Sequence, residues 1–77
     1  MARSPKPDPQ LAAAVRRLRE DRGVTREALA FHAGITTGSL ARIELVQSTP
    51  GWDTVRSIAK ALDISLADLV EAIEATA

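Results

Sequence analysis

Few side chains in this protein could take part in a covalent reaction, and they are not arranged for one. The chain has 77 residues, no cysteine and a single histidine, His32, so thiolate chemistry is excluded and a zinc site lacks its ligands. Ser39, His32 and the acidic residues form no nucleophile–base pattern, and no glycine-rich phosphate loop is present. An enzyme is not expected, nor is a metal or other cofactor. What remains is hydrogen-bonding and ionic chemistry. Hydroxyls and arginines recur between residues 25 and 44: Thr25, Arg26, Thr36, Thr37, Ser39 and Arg42.

Two short helices must position that segment. Thr25 can cap the first, with Glu27 suited to the positive end of its dipole, Leu29, Ala30 and Ala33 facing inward, and Gly34 ending it. Thr36 then caps a second helix through roughly Val46, with Leu40 and Ile43 on one side and Thr37, Gly38, Ala41 and Arg42 on the other. Ala30 and Gly34 are small enough to let the two helices approach closely at a steep angle. That arrangement is a helix-turn-helix, whose second helix lies in the major groove of DNA with its N-terminal residues at the base edges.

Three more helices complete the chain. Residues 1–8 hold Pro5 and Pro7 with Arg3 and Lys6, and read as a flexible arm. Residues 9–77 read as a single domain. Asp8-Pro9 starts a first helix carrying Leu11, Val15 and Leu18, which Gly23 stops. After the loop Ser48-Thr49-Pro50-Gly51, a fourth helix places Val55, Ile58, Ala59 and Leu62 at helical spacing. Ser65 and Asp68 form a Ser-x-x-acid cap for a fifth, with Leu66, Leu69, Val70 and Ile73. No segment alternates as a strand does, so the fold class is all-α. Phe31 and Trp52 are the only aromatics, so the core must be aliphatic.

Formal net charge is zero, where a DNA binder usually carries a basic excess. The charge is polarised, however. Residues 1–45 hold eight Arg or Lys against five Asp or Glu, giving +3, and residues 46–77 hold two against five, giving −3. A basic end can meet phosphate while an acidic end faces away.

In order along the chain, Leu18-Arg19, Gly23-Val24-Thr25, Glu27-Ala28-Leu29-Ala30, Ala33-Gly34-Ile35-Thr36, Leu40-Ala41-Arg42-Ile43-Glu44, Pro50 and Ile58-Ala59-Lys60-Ala61-Leu62 resemble the Cro/repressor-type, or Xre-type, DNA-binding domains over residues 10–74. The resemblance implies a lambda-repressor-like five-helix bundle, helices two and three forming the motif, that binds double-stranded DNA as a homodimer. It implies that Thr36, Thr37, Gly38 and Arg42 face the groove, with Ser39 beside them. Thr37 would meet a base or a thymine methyl, and Arg42 guanine O6 and N7. Arg26 would contact phosphate, Arg16 and Arg17 could add to it from helix one, and Arg19 and Glu44 would form an ion pair that orients the reading helix. Stand-alone domains of this size in the family include phage-type repressors, antitoxins and restriction-modification controller proteins.

The chain departs from the family's pattern in places. Leu45-Val46 stand where a basic residue and Gly often end helix three; valine takes the left-handed conformation poorly, so the helix is expected to end differently. Gly38 costs about 1 kcal/mol of helix stability relative to Ala and removes a base-reading side chain. Only Arg42 is then a long reader, and DNA shape could share the recognition. Trp52 is expected in or at the edge of the core, or else in a dimer contact with helix five. Phe31 is expected to be partly buried against a loop, with a protein contact as the other reading. Leu45, Val46 and Trp52 together would make an apolar patch suited to a homodimer. The competing function is a protein-interaction module, antitoxin-like or partner-binding, that reuses the fold. No small-molecule ligand or membrane association is implied: no apolar run approaches a bilayer span, residues 1–5 do not resemble a signal peptide, and a cytoplasmic protein is the default.

Overall fold

In the computed structural model, which describes residues 6–76, the chain forms helices α1 (Pro9–Asp21), α2 (Arg26–Ala33), α3 (Thr37–Glu44), α4 (Trp52–Ala61) and α5 (Leu66–Ala75). The caps are those the sequence offers. Oxygens of Asp8, Thr25, Thr36 and Ser65 accept backbone N–H bonds from Gln10, Ala28, Ser39 and Asp68, at 2.9 to 3.1 Å. Each satisfies one of the orphan donors that open a helix. Of the arm expected over residues 1–8, the first five lie outside the described residues, and Lys6–Asp8 are non-helical.

The core is aliphatic. Val15, Leu29, Ala30, Ala33, Leu40, Ile43, Ile58 and Leu62 form one buried cluster, joining α1, α2, α3 and α4. A smaller cluster of Val55, Ala59 and Leu69 seals α4 against α5. Of Leu66, Leu69, Val70 and Ile73 on α5, only Leu69 is buried; Val70 turns outward. α2 packs against both α3 and α4, while α1 spans from α3 to α5. The helix-turn-helix is thus backed on its inner side by α1 and α4.

Between α2 and α3 the chain reverses at Gly34, whose φ of +72° is open to glycine at little cost. Its N–H donates to the Phe31 carbonyl at 3.2 Å, and the Ile35 N–H donates to that of Ala30 at 3.0 Å. Those bonds close α2 in a Schellman arrangement and leave only Ile35 before the Thr36 cap of α3.

The end of α3 corrects the sequence reading. The helix stops at Glu44, two residues short of Val46, and Val46 does adopt the left-handed conformation, at φ +60°. The reason is the same hydrogen-bond closure. Val46 N–H donates to the Ile43 carbonyl at 3.2 Å and Gln47 N–H to that of Arg42 at 2.7 Å, a pair of bonds that requires position 46 to be left-handed. A β-branched residue there carries a steric penalty of about 1–2 kcal/mol that glycine escapes. Val46→Gly is therefore expected to stabilise the fold by about 1 kcal/mol once glycine's greater freedom in the unfolded chain is subtracted. For a chain this short that is a rise of about 4–8 °C in melting temperature, read by circular dichroism.

Candidate nucleic-acid interface

α3 divides cleanly into two faces. Leu40, Ile43 and Glu44 are buried against the bundle, while Thr36, Thr37, Gly38 and Arg42 are exposed and Ser39 is half-buried. The five residues predicted to face the groove therefore lie together on or beside one open face. Three of them are also linked. Thr36 Oγ1 accepts the Ser39 backbone N–H at 3.0 Å and donates its own proton to Ser39 Oγ at 2.9 Å. Ser39 Oγ in turn accepts from Arg42 Nη2 at 3.4 Å. The surface offers hydroxyls and a guanidinium, the groups that hydrogen-bond base edges and phosphate oxygens.

Behind that face lies the predicted ion pair, with an additional member. Arg19 donates from Nε to Glu44 Oε2 at 2.8 Å and from Nη2 to Oε1 at 3.1 Å, and its Nη1 reaches the Val24 carbonyl at 2.9 Å. Arg26 Nε also donates to Glu44 Oε1, at 2.9 Å. The Glu44 side chain is fully enclosed, with 0% exposure, against 12% for Arg19 and 31% for Arg26. One carboxylate thus ties α3 to both α1 and α2. Burial pushes the Glu44 carboxyl up, but the hydrogen bonds and charges of the two guanidinium groups outweigh it and hold its pKa below the ordinary value. Arg19 is raised, chiefly by its hydrogen bonds to the same carboxylate.

Sequence reasoning assigned Arg26 to phosphate and did not foresee its bond to Glu44. The signal was available in hindsight. Residue 26 opens α2 beside the end of α3, and a long cation there meets the only buried charge among the described residues. The bond uses one of five N–H donors on the guanidinium, so most of its capacity is not spent on Glu44. Arg16 and Arg17 instead pair along α1 with Glu20, at 3.3 Å, and Asp21, at 3.9 Å, with all four side chains largely exposed. Arg17 also borders a groove between α1 and α5 whose other charged walls are Asp21, Asp68 and Glu71, an acidic setting.

The aromatic residues correct the reading again. Trp52, expected in or at the edge of the core, is 61% exposed, and Phe31, expected to be partly buried, is 80% exposed, its ring T-shaped to that of His32 at a centroid distance of 5.5 Å. Both follow from position. Trp52 is the first residue of α4, one turn before its first buried residue, Val55, and Phe31 lies off the Leu29/Ala30/Ala33 stripe of α2. Leu45 and Val46 are likewise exposed. No group of His, Cys, Asp and Glu suited to hold a metal occurs among the described residues, and no helix there is long and apolar enough to cross a membrane.

The fold is that of a helix-turn-helix protein of the DNA-binding regulator class. A model of the helix-turn-helix domain matches residues 10–73, and the chain belongs to that family. Among solved structures it is similar to the clp gene regulator ClgR from Corynebacterium glutamicum, at 29% identity over 95% of each chain and a TM-score of 0.83. It is also similar to the restriction-modification controller protein C.AhdI from Aeromonas hydrophila, at 28% identity over 79% of this chain and 92% of that one, with a TM-score of 0.76. The controller protein C.Esp1396I shares the fold at 19% identity and a TM-score of 0.83, over 87% of this chain and 86% of that one. No curated protein sequence matched the chain.

Proposed function

We propose that this protein is a cytoplasmic transcriptional regulator that binds double-stranded DNA as a homodimer, with α3 in the major groove. The observation that carries the reading is the exposed Thr36–Thr37–Gly38–Ser39–Arg42 face, held by the buried Glu44 contact to α1 and α2. In this reading Arg42 and Thr37 meet base edges and Thr36 meets phosphate. Arg26 meets phosphate with the donors Glu44 leaves it, beside the N-terminus of α2, where anions are already favoured. Arg16 and Arg17 would add phosphate contacts only by exchanging their present carboxylate partners. Likeness to a gene regulator and to a restriction-modification controller supports regulation as the outcome.

A homodimer would cover Leu45, Val46 and Trp52, which are 51%, 39% and 61% exposed and flank the link between α3 and α4. An apolar patch at the foot of the reading helix is an economical place for a two-fold contact, because it sets the spacing of two α3 helices directly. The second reading, a protein-interaction module, is favoured by Phe31, whose exposure no contact within the monomer explains.

Salt distinguishes the two. Fluorescence anisotropy with a labelled duplex from upstream of the protein's own gene, titrated at two salt concentrations against random competitor, should show specific binding. Affinity should weaken by about 0.9 log units per phosphate contact for each log unit of salt. Absence of any DNA binding at low salt would reject the regulator in favour of the interaction module.

A further inference from the structure

Arg42 is the one long side chain on the reading face, and two neighbours govern where it can go. Side chains on a helix lean towards its N-terminus, so Arg42 runs back over the preceding turn, where residues 38 and 39 lie four and three positions before it. Its Nη2 rests 3.4 Å from Ser39 Oγ, and that hydroxyl is itself fixed by the Thr36 proton at 2.9 Å. Its Nη1 lies 4.0 Å from where a Cβ on Gly38 would be. A methyl group at 38 would sit in ordinary contact with the guanidinium; any longer side chain would compete for the same space.

We propose that Ser39 and Gly38 determine the sequence this protein reads, by acting on Arg42. Ser39 is a positioning residue that presents the guanidinium at the N-terminal turn of α3, the part that enters the groove. Gly38 keeps the place of the guanidinium clear. An arginine tied in this way loses less rotamer freedom on binding and engages O6 and N7 of a single guanine, so each half of the DNA site is discriminated mainly at one G·C pair. The glycine that weakens α3 as a helix thereby gains a purpose.

The inference rests on α3 being the DNA-reading helix, and the test separates the two. A duplex selected by the wild-type protein from a random pool serves as probe, with affinities measured for it and for versions changed one base pair at a time. Arg42→Ala should flatten discrimination at one G·C pair per half-site. Ser39→Ala and Gly38→Leu should each reduce it at the same pair by about tenfold, with a salt slope close to wild type and a melting temperature no lower than wild type, Gly38→Leu raising it because leucine favours the helix. Ser39→Thr and Gly38→Ala, which retain the hydroxyl and the space, should preserve it. Added to Arg42→Ala, neither Ser39→Ala nor Gly38→Leu should cause further loss at that pair. If Arg42→Ala flattens discrimination while Ser39→Ala and Gly38→Leu do not, or if their losses add to those of Arg42→Ala, the positioning role is refuted and the reading helix stands. If Arg42→Ala leaves every base pair discriminated as before, Arg42 is not the reader and the positioning role is refuted with it; if Thr37→Ala also changes nothing, the reading of α3 is refuted as well.

Discussion

Glu44→Ala is expected to destabilise the fold by about 3–5 kcal/mol, the usual consequence of stripping a buried ion pair of one partner. Against a total stability of about 5–15 kcal/mol for proteins in general, that leaves a small chain at the edge of unfolding. The size of the loss comes from what remains behind. Arg19 is only 12% exposed and would keep its charge with no carboxylate hydrogen-bonded to it, only the weaker attraction of Glu20 and Glu27, and Arg26 would lose the bond that holds it to α3. Urea denaturation measures the difference. Its decisive companion is the double variant Arg19→Met/Glu44→Leu, which replaces the pair with apolar groups and should recover much of the stability while loosening the orientation of α3. Equal instability of both would mean that the contact acts through packing rather than charge.

The same carboxylate fixes the acid response. Because the folded pKa of Glu44 is held below its ordinary value of 4.5, folding favours the ionised form. Its contribution is fully present above that pH and is lost as pH falls through the lower, folded value. Wild-type stability should therefore decline more steeply below pH 4.5 than that of the Arg19→Met/Glu44→Leu variant, in urea titrations taken across that range.

Arg42→Ala and Arg26→Ala should separate reading from holding. Without Arg42, affinity for the preferred site should drop by about 1–3 kcal/mol while binding to random DNA barely changes, since a bidentate guanine contact is lost. Without Arg26, affinity should fall for every sequence, and the salt slope should decrease by about one phosphate's worth. The two also differ in stability. Arg26 donates to buried Glu44 at 2.9 Å, whereas the hydrogen bond of Arg42, to Ser39, is on the surface, so only Arg26→Ala should lower the melting temperature. Wild-type affinity and specificity in both variants would place the DNA surface elsewhere on the molecule.

Much of this molecule is legible in one dimension, because the signals are local. Asp8, Thr25, Thr36 and Ser65 start helices since a short polar side chain reaches its own backbone two or three residues on, whatever surrounds it. Gly34 turns the chain since it takes φ +72° at little cost. The apolar spacing on α2, α3 and α4 selected their buried faces correctly, and the pairing of Arg19 with Glu44 followed from the family pattern across 25 residues. The open face of α3 is then what remains once Leu40 and Ile43 are turned inward.

Other features depend on distances between elements that periodicity does not encode. Val70 repeats the helical spacing of Leu66 and Ile73, yet it faces outward because α5 meets α1 and α4 along only part of its apolar stripe. Trp52 has the composition of a core residue and the position of a helix end. Val46 is forced left-handed by two hydrogen bonds that outweigh its own preference, a contest decided by how α3 must terminate before α4. Arg26 meets Glu44 because packing brings the first residue of α2 to the last of α3, which converts an ion pair into a three-residue cluster. Capping, turning and the apolar face of most helices were thus set by the sequence itself, through interactions spanning a few residues. Which charges share a carboxylate, and which apolar groups are left exposed, was decided by the packing of helices against one another.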